Sequence, residues 1–347
     1  MKSRDADKVT PLYSSATHQE YGGTRKNLHF ASRPEGLSRL TASSNVGTFQ
    51  LFRSQSEHPL SPRFDGSQET HSASISKGIA QMSDSVLVHY EVRGKVALLT
   101  LDDPPANTYT HEMMRQLDES IIKARFDENV EVIVLTGAGE KFFCAGANIG
   151  MLSEADPEWK YCFCLHANET LNRLEHTPKL VIAALNGHTV GGGLEIAMAA
   201  DIRIARKDAG KVGLPEVALG VLPGTGGTQR LVRLVGKPVA IQMMAEGTTF
   251  GFDEAHKHGL VNQIYDHEDR DSFVDAVLEY ASQFTTPNKA TKAVGLIKRS
   301  VQTGAELPFE LALALERELQ AQLFASSDAK EGLNAYVEKR AAEFTGS

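Results

Sequence analysis

Two short apolar runs constrain this chain most, because each is too short for a helix of ordinary length and too apolar for a surface loop. Val130-Glu131-Val132-Ile133-Val134-Leu135 is nearly free of polar residues and ends in Thr136-Gly137-Ala138-Gly139. Leu180 to Leu185 is another such run, closed by Asn186-Gly187, and Asp201 to Ala205 reads as a further strand. Runs of this length, rich in β-branched residues and bounded by turn signals, read as buried strands. Helical patterns alternate with them: His111 to about Phe126, before the first run, places Met114, Leu117, Ile121 and Ile122 at helical spacing, and Leu194 to Ala200 reads as a short helix. Upstream, Val86, Val88, Tyr90 and Val92 alternate with other residues before the Arg93-Gly94-Lys95 turn and the apolar run Val96 to Leu101, a β-hairpin pattern. Leu260 to Tyr265 reads as a late strand. Strand–helix alternation predicts an α/β architecture.

The pattern does not extend to the start of the chain. Residues 1–82 are dense in Ser, His, Gly, Pro and charge, with no sustained period of 2 or 3.6. Such a segment buries too little apolar surface to offset its ordering entropy and is expected to be mostly disordered. Three origins fit it: an organelle-targeting extension, a regulatory tail, or an over-extended reading frame with Met82 as the true start. Asp5, Asp7, Glu20 and Glu35 count against targeting, since transit peptides are poor in acids; the over-extended frame is preferred. The expected organisation is therefore an extension over 1–82, a spiral core over 83–265 and a helical region over 266–347. In that last region Leu311, Leu315, Leu319 and Leu323 recur every four residues, and Asp328 with Glu331 has the spacing of a capping box. The leucine stripe fits packing on a neighbouring subunit or on the chain's own core.

Charge and cysteine content exclude several function classes. The net charge of −8 gives no general attraction for phosphate backbones, so no nucleic-acid partner is expected. No apolar run approaches the roughly 18 residues of a membrane span. Three cysteines, Cys144, Cys162 and Cys164, point to reduced packing residues in a cytoplasmic compartment, or a mitochondrial one if the extension is a targeting segment. Their spacing does not suit zinc, and His256, His258 and His267 read as solvated loop residues, so no metal is expected. No Gly-x-Ser-x-Gly elbow or phosphate-binding glycine motif occurs.

Two glycine-rich turns carry the chemistry. The first, Lys141-Phe142-Phe143-Cys144-Ala145-Gly146-Ala147-Asn148-Ile149, follows a buried strand and lets a ligand approach the main chain. The second, Asn186-Gly187-His188-Thr189-Val190-Gly191-Gly192-Gly193-Leu194-Glu195, opens a helix, where unpaired N–H groups and the positive dipole end are presented. Each alone fits a tight strand–helix turn; together they can supply one amide each to a carbonyl oxygen that gains charge, an oxyanion hole. Glu195 sits in the first turn of that helix. Glu216, in Gly213-Leu214-Pro215-Glu216-Val217, is flanked by Pro and apolar residues and is expected to be partly buried. Singly, each reads as a capping or surface carboxylate. As a pair with tuned pKa values, two carboxyls can take a proton from water and deliver one to carbon.

From about Ser83 onward these residues resemble the enoyl-CoA hydratase/isomerase, or crotonase, superfamily. The resemblance rests on Phe143 to Ile149, Gly191-Gly192-Gly193-Leu194-Glu195-Ile196-Ala197, Asp201-Ile202-Arg203-Ile204-Ala205, Leu214-Pro215-Glu216-Val217 and Pro223-Gly224-Thr225-Gly226-Gly227-Thr228-Gln229-Arg230-Leu231, with further matches at Leu323 to Gly332 and Glu338-Lys339-Arg340. It implies a ββα superhelical spiral followed by a helical trimerisation region, with trimers commonly paired into hexamers. It places the oxyanion amides on Ala147 and Gly192, the hydratase carboxylates on Glu195 and Glu216, and CoA and thioester binding on the backbone of Ala145, Ala147, Asn148, Ile149, Gly150 and Gly192. The implied reaction is hydration of a trans-2-enoyl-CoA to a 3-hydroxyacyl-CoA, of the kind used in fatty-acid β-oxidation, with coenzyme A as part of the substrate and no other cofactor. An isomerase of the same fold is the alternative, and a non-catalytic CoA-ester or RNA-binding protein a more distant one.

Two positions depart from the family pattern. Asn148 replaces the more usual Asp, which removes a charge while keeping local hydrogen bonding. Asn107-Thr108-Tyr109-Thr110 is more polar than the common Asn-Ala-Leu type, and Tyr109 is expected to favour a shorter, polar or cyclic acyl group if it borders the acyl pocket. Lys292, Lys298, Arg299, Lys330, Lys339 and Arg340 lie on the helical tail, most of them as solvated charges and some as candidates to meet CoA phosphates.

Overall fold

The computed structural model describes residues 85–347; the expectation for residues 1–82 lies outside them. Strands β1 (Val88–Arg93) and β2 (Val96–Leu101) form an antiparallel hairpin whose turn holds Gly94 at φ +60°. Helix α1 (His111–Phe126) follows, capped by the Thr110 side chain, which accepts from Met113 N. The chain then repeats one unit: a strand in a large sheet, a short strand in a second sheet, then helix. The large-sheet members are β3 (Val132–Gly137), β5 (Leu180–Leu185) and β7 (Ile202–Arg206). The short members are β4 (Phe142–Cys144), β6 (His188–Val190) and β8 (Lys211–Gly213). Helices α2 (Ile149–Glu154) and α3 (Pro157–Glu175) close the first repeat, α4 (Gly192–Met198) the second, and a 3-10 turn over Glu216–Leu219 with α5 (Gly227–Val235) the third.

Helix α6 (Lys237–Glu246), strand β9 (Thr249–Gly251), helix α7 (Phe252–Lys257) and strand β10 (Gln263–Tyr265) complete the two sheets. Their orders are β1-β2-β3-β5-β7-β10 and β4-β6-β8-β9. Pairing is parallel except for β1 with β2 and β8 with β9. This is the ββα spiral of an α/β protein. Helices α8 (Arg270–Ser282), α9 (Thr291–Gly304), α10 (Phe309–Phe324) and α11 (Ser327–Glu338) follow.

The apolar strands have a two-sided cause. Side chains alternate across a sheet, and both faces here are covered. Leu99, Ile133, Leu135, Ala183 and Leu185 face a core shared with α1 and α3, while Leu98, Val132, Val134, Ile182 and Ile204 face Phe273, Val274 and Val277 of α8. With water excluded from both sides, both residue parities favour apolar side chains and the β3 and β5 runs read as nearly continuous; the buried exceptions are bonded, Thr136 to Ala184 O and Arg203 of β7 to Leu260 O and Ala200 O.

Several sequence expectations shift. The strand expected over Val130–Leu135 is paired over Val132–Gly137, and the late strand begins at Gln263 rather than Leu260. The cap of α11 is Ser326, whose hydroxyl accepts from Ala329 N, not Asp328. Asp328 instead accepts from Thr345 N and Gly346 N, which ties down the end of the chain, and Glu331 pairs with Arg340. Of the leucine stripe, Leu319 is buried within the chain and Leu311 is 57% exposed. Cys162 is exposed rather than packed. His256 lies on α7 with Nδ1 against Val261 O, not in a solvated loop. Lys298 is not a surface charge: it is 7% exposed and bonded to Asp201 at 2.8 Å. No helix among the described residues is long and apolar enough to cross a membrane.

Candidate active site

The Ala147 loop leaves β4 at the edge of the smaller sheet. Gly146 takes φ +94°, a conformation that a side chain would strain. Gly146 O accepts from Tyr109 N at 2.9 Å, and Asn148 N donates to Tyr109 O at 3.0 Å. Ala147 lies between these two bonds, and its own amide donates to nothing among the described residues. Asn148 then caps α2 by accepting from Met151 N at 3.0 Å, so its amide side chain does the local work open to an aspartate. Ile149 and Gly150 form the exposed first turn of α2. Ala145 is anchored by donation to Ala106 O.

The second turn abuts the first. Gly191 caps α4 at φ +56° with no side-chain cap bond, leaving the Gly192 amide without an acceptor among the described residues. A methyl added at Gly146 would stand 3.1 Å from Gly192 N, so the two free amides belong to adjoining stretches of main chain. The Gly192 amide opens α4 at the positive end of that helix, and Ala147, one residue before the cap of α2, adds a second unpaired donor on the adjoining main chain.

Both glutamates reach this place, in contrasting surroundings. Glu195 is 2% exposed, and its Oε1 accepts from Thr225 N at 2.7 Å and Gly227 N at 2.6 Å. Burial raises its pKa, opposed by those two amides, the Thr225 hydroxyl and the charge of Arg230. Glu216 stands on the 3-10 turn with Oε1 3.1 Å from where a side chain on Gly191 would begin. Its Oε2 is buried without a hydrogen-bond partner. Burial pushes the Glu216 pKa up to about 7, with a further upward push from the charge of Glu195 and a downward one from its own main-chain amide. One carboxyl is therefore held by donors; the other keeps its proton up to about pH 7.

The main chain at Thr225 and Gly227 had no role in the sequence reading, although the glycine-rich stretch Pro223–Leu231 was visible there. Its function is to turn two amides inward onto Glu195. The buried Arg230 braces the same turn, donating to Thr225 O at 3.3 Å and to Glu175 at 2.7 Å. Among the described residues no group of three or more His, Cys, Asp or Glu side chains is arranged to hold a metal ion.

The pattern described as Enoyl-CoA hydratase/isomerase matches residues 91–347. The chain belongs to the enoyl-CoA hydratase/isomerase family. A short-chain-enoyl-CoA hydratase of Clostridium acetobutylicum is 39% identical over 254 residues, covering 73% of this chain and 95% of that protein. A crotonyl-CoA hydratase of Syntrophomonas wolfei is 35% identical over 255 residues, covering 73% of this chain and 96% of that protein. The crystal structure of an enoyl-CoA hydratase from Geobacillus kaustophilus HTA426 superposes with a TM-score of 0.73 at 42% identity, covering 76% of this chain and 98% of the other. The ββα spiral of this family member thus brings Ala147, Gly192, Glu195 and Glu216 together from three separate segments, Gly192 and Glu195 sharing α4.

Proposed function

We propose that this chain is an enoyl-CoA hydratase that adds water syn across the C2–C3 bond of a trans-2-enoyl-CoA to give a 3-hydroxyacyl-CoA. The supporting observation is the asymmetry of two carboxyls beside two unpaired amides: Glu195 held by main-chain donors, Glu216 buried with a free oxygen and a pKa of about 7. The thioester oxygen takes the Ala147 and Gly192 amides, and the main chain from Ala145 to Gly150 lies along the CoA moiety. Charge that develops on that oxygen as hydroxide adds to C3 is stabilised there by fixed donors. Glu195, ionised, accepts a proton from water while the oxygen bonds to C3. Glu216 gives its proton to C2, so the two carboxyls end with exchanged protonation and reset through solvent. An isomerase would shuttle one proton with one carboxyl; the presence of two favours hydration.

Coenzyme A enters as part of the substrate, and no further cofactor is required by these steps. We also propose a homo-oligomer, a trimer or dimer of trimers, on the strength of exposed Phe309, Leu311, Leu333, Tyr336 and Val337 along the tail helices. A cytoplasmic location suits three free thiols. The deciding experiment follows loss of the conjugated thioester absorbance over a panel of enoyl-CoAs. Turnover of crotonyl-CoA to 3-hydroxybutyryl-CoA supports the assignment; an inert panel, or double-bond migration without water uptake, sinks it.

A further inference from the structure

Tyr109 lies between β2 and α1, outside both glycine turns, yet it meets the Ala147 loop, the Gly192 turn and the Thr225 support of Glu195. Its main chain clasps the Ala147 loop from both sides, through Gly146 O and Asn148 N. Its ring occupies the space a side chain on Gly192 would need. The 2% exposed phenol is 2.9 Å from Thr225 Oγ1, and Thr225 donates its amide to Glu195 Oε1 at 2.7 Å. A phenylalanine would fill the same volume. A buried hydroxyl is costly unless paired, so the phenol and its threonine partner form a matched device across 116 residues of sequence.

We infer that Tyr109 is a positioning residue, which fixes the Ala147 loop, the Gly192 turn and the Thr225 support of Glu195 in one register. Amides and carboxyl then meet the same bound thioester. The inference rests on the hydratase reading and goes beyond it, because Tyr109 acts through its neighbours and not on the reacting atoms. A hydroxyl pair that only fills the core would affect stability and leave turnover alone. A positioning pair affects turnover, because a displacement of about 1 Å at the chemistry can cost on the order of 100-fold.

Tyr109→Phe keeps the ring, and Thr225→Val keeps the main-chain amide; each removes one hydroxyl of the pair. With crotonyl-CoA, each should lower kcat by about tenfold, leave KM within about twofold and move the acid limb of the kcat–pH profile upward. The double variant should lose no more than the poorer single one, since both break the same link. Infrared titration of the Glu195 carboxyl, assigned by its disappearance in Glu195→Gln, should move upward in both single variants without any substrate present. Wild-type kcat in both variants, multiplicative losses in the double one, or an unmoved Glu195 titration each overturns the inference. If the wild-type protein hydrates no enoyl-CoA, the hydratase reading falls, and the infrared titration still decides the role of Tyr109.

Discussion

The charge on Glu195 raises the pKa of Glu216, although the two lie 21 positions apart, with β7, β8 and a proline turn between them. They are neighbours because α4 and the 3-10 turn both emerge from the smaller sheet, where β6 and β8 are adjacent parallel strands. Their proximity would be unfavourable if both ionised. The fold avoids that by directing two main-chain amides at Glu195 and none at the Oε2 of Glu216.

Removing either carboxyl should therefore be severe without being disruptive. Glu195→Gln and Glu216→Gln are each expected to lower kcat for crotonyl-CoA by about 10²–10⁴-fold, with KM changed little, because the amide substitutes keep size and polarity. Near-normal rates in both variants would show that proton transfer runs elsewhere.

The reaction should also fail on the alkaline side. Glu216 must carry a proton to deliver one, and burial followed by the Glu195 charge raises its pKa to about 7. Below that value the donor is loaded; above it the proton is progressively lost, so kcat/KM should fall as pH rises through about 7. The two glutamates titrate as a pair, so the limb reports the pair's apparent pKa. A kcat/KM that stays level to pH 9 would contradict Glu216 as donor.

The same shift has a consequence for stability. Because the folded pKa of Glu216 lies above its ordinary value of 4.5, the folded state holds a proton that the unfolded chain releases between about pH 4.5 and 7. The contribution of this group is thus most favourable below pH 4.5 and is lost as pH rises through 7. Glu216→Gln should stabilise the protein at pH 8 by on the order of 1–2 kcal/mol, discounted for its partial exposure. The gain should vanish near pH 4. Denaturant midpoints at the two pH values give the comparison.

Legibility in the sequence followed the range of the interactions involved. His111–Phe126 and Leu180–Leu185 coincide with their expected spans because burial on fixed faces imprints a period or an unbroken apolar run. The two glycine turns and two glutamates were visible as types and spacings. Asp328 misled because its carboxylate serves Thr345 and Gly346, partners that no local pattern announces. Thr225 was hidden for the same reason: what matters there is the direction of its amide and the hydroxyl of Tyr109, both set by tertiary packing.

Lys298 is held in a buried ion pair rather than by solvent. Its ammonium is 2.8 Å from Asp201 and donates to Lys179 O, while Asp201 also accepts from Val181 N and from Gln302. Burial outweighs pairing for both ions, lowering the Lys298 pKa and raising that of Asp201. Lys298→Met should cost about 3–5 kcal/mol in denaturant unfolding by stranding a buried carboxylate, and Asp201→Asn in the same chain should recover part of it. KM for crotonyl-CoA should hold in whatever folds. A selective rise in KM with full stability would restore Lys298 as a CoA contact.

Tyr109 also bears on which acyl groups fit. Trp159 stacks on Phe163 at 5.3 Å, Phe163 on Tyr109 at 5.8 Å, and the Tyr109 ring ends against Gly192, where the thioester would sit. Rings this tightly packed, with Tyr109 2% and Phe163 3% exposed, present almost no free surface, so Tyr109 can limit the acyl group only where its edge meets the Gly192 turn; on that basis kcat/KM should be highest for short enoyl groups and fall with each added pair of methylenes. Tyr109→Leu opens that end of the row, and each methylene newly accommodated is worth roughly 1–3 kcal/mol of discrimination. The expected result is a crossing of the two profiles: Tyr109→Leu poorer on four-carbon substrate and better by about tenfold or more on eight to ten carbons. Parallel profiles, lowered equally at every chain length, would mean that the ring orders the site without bordering the acyl group.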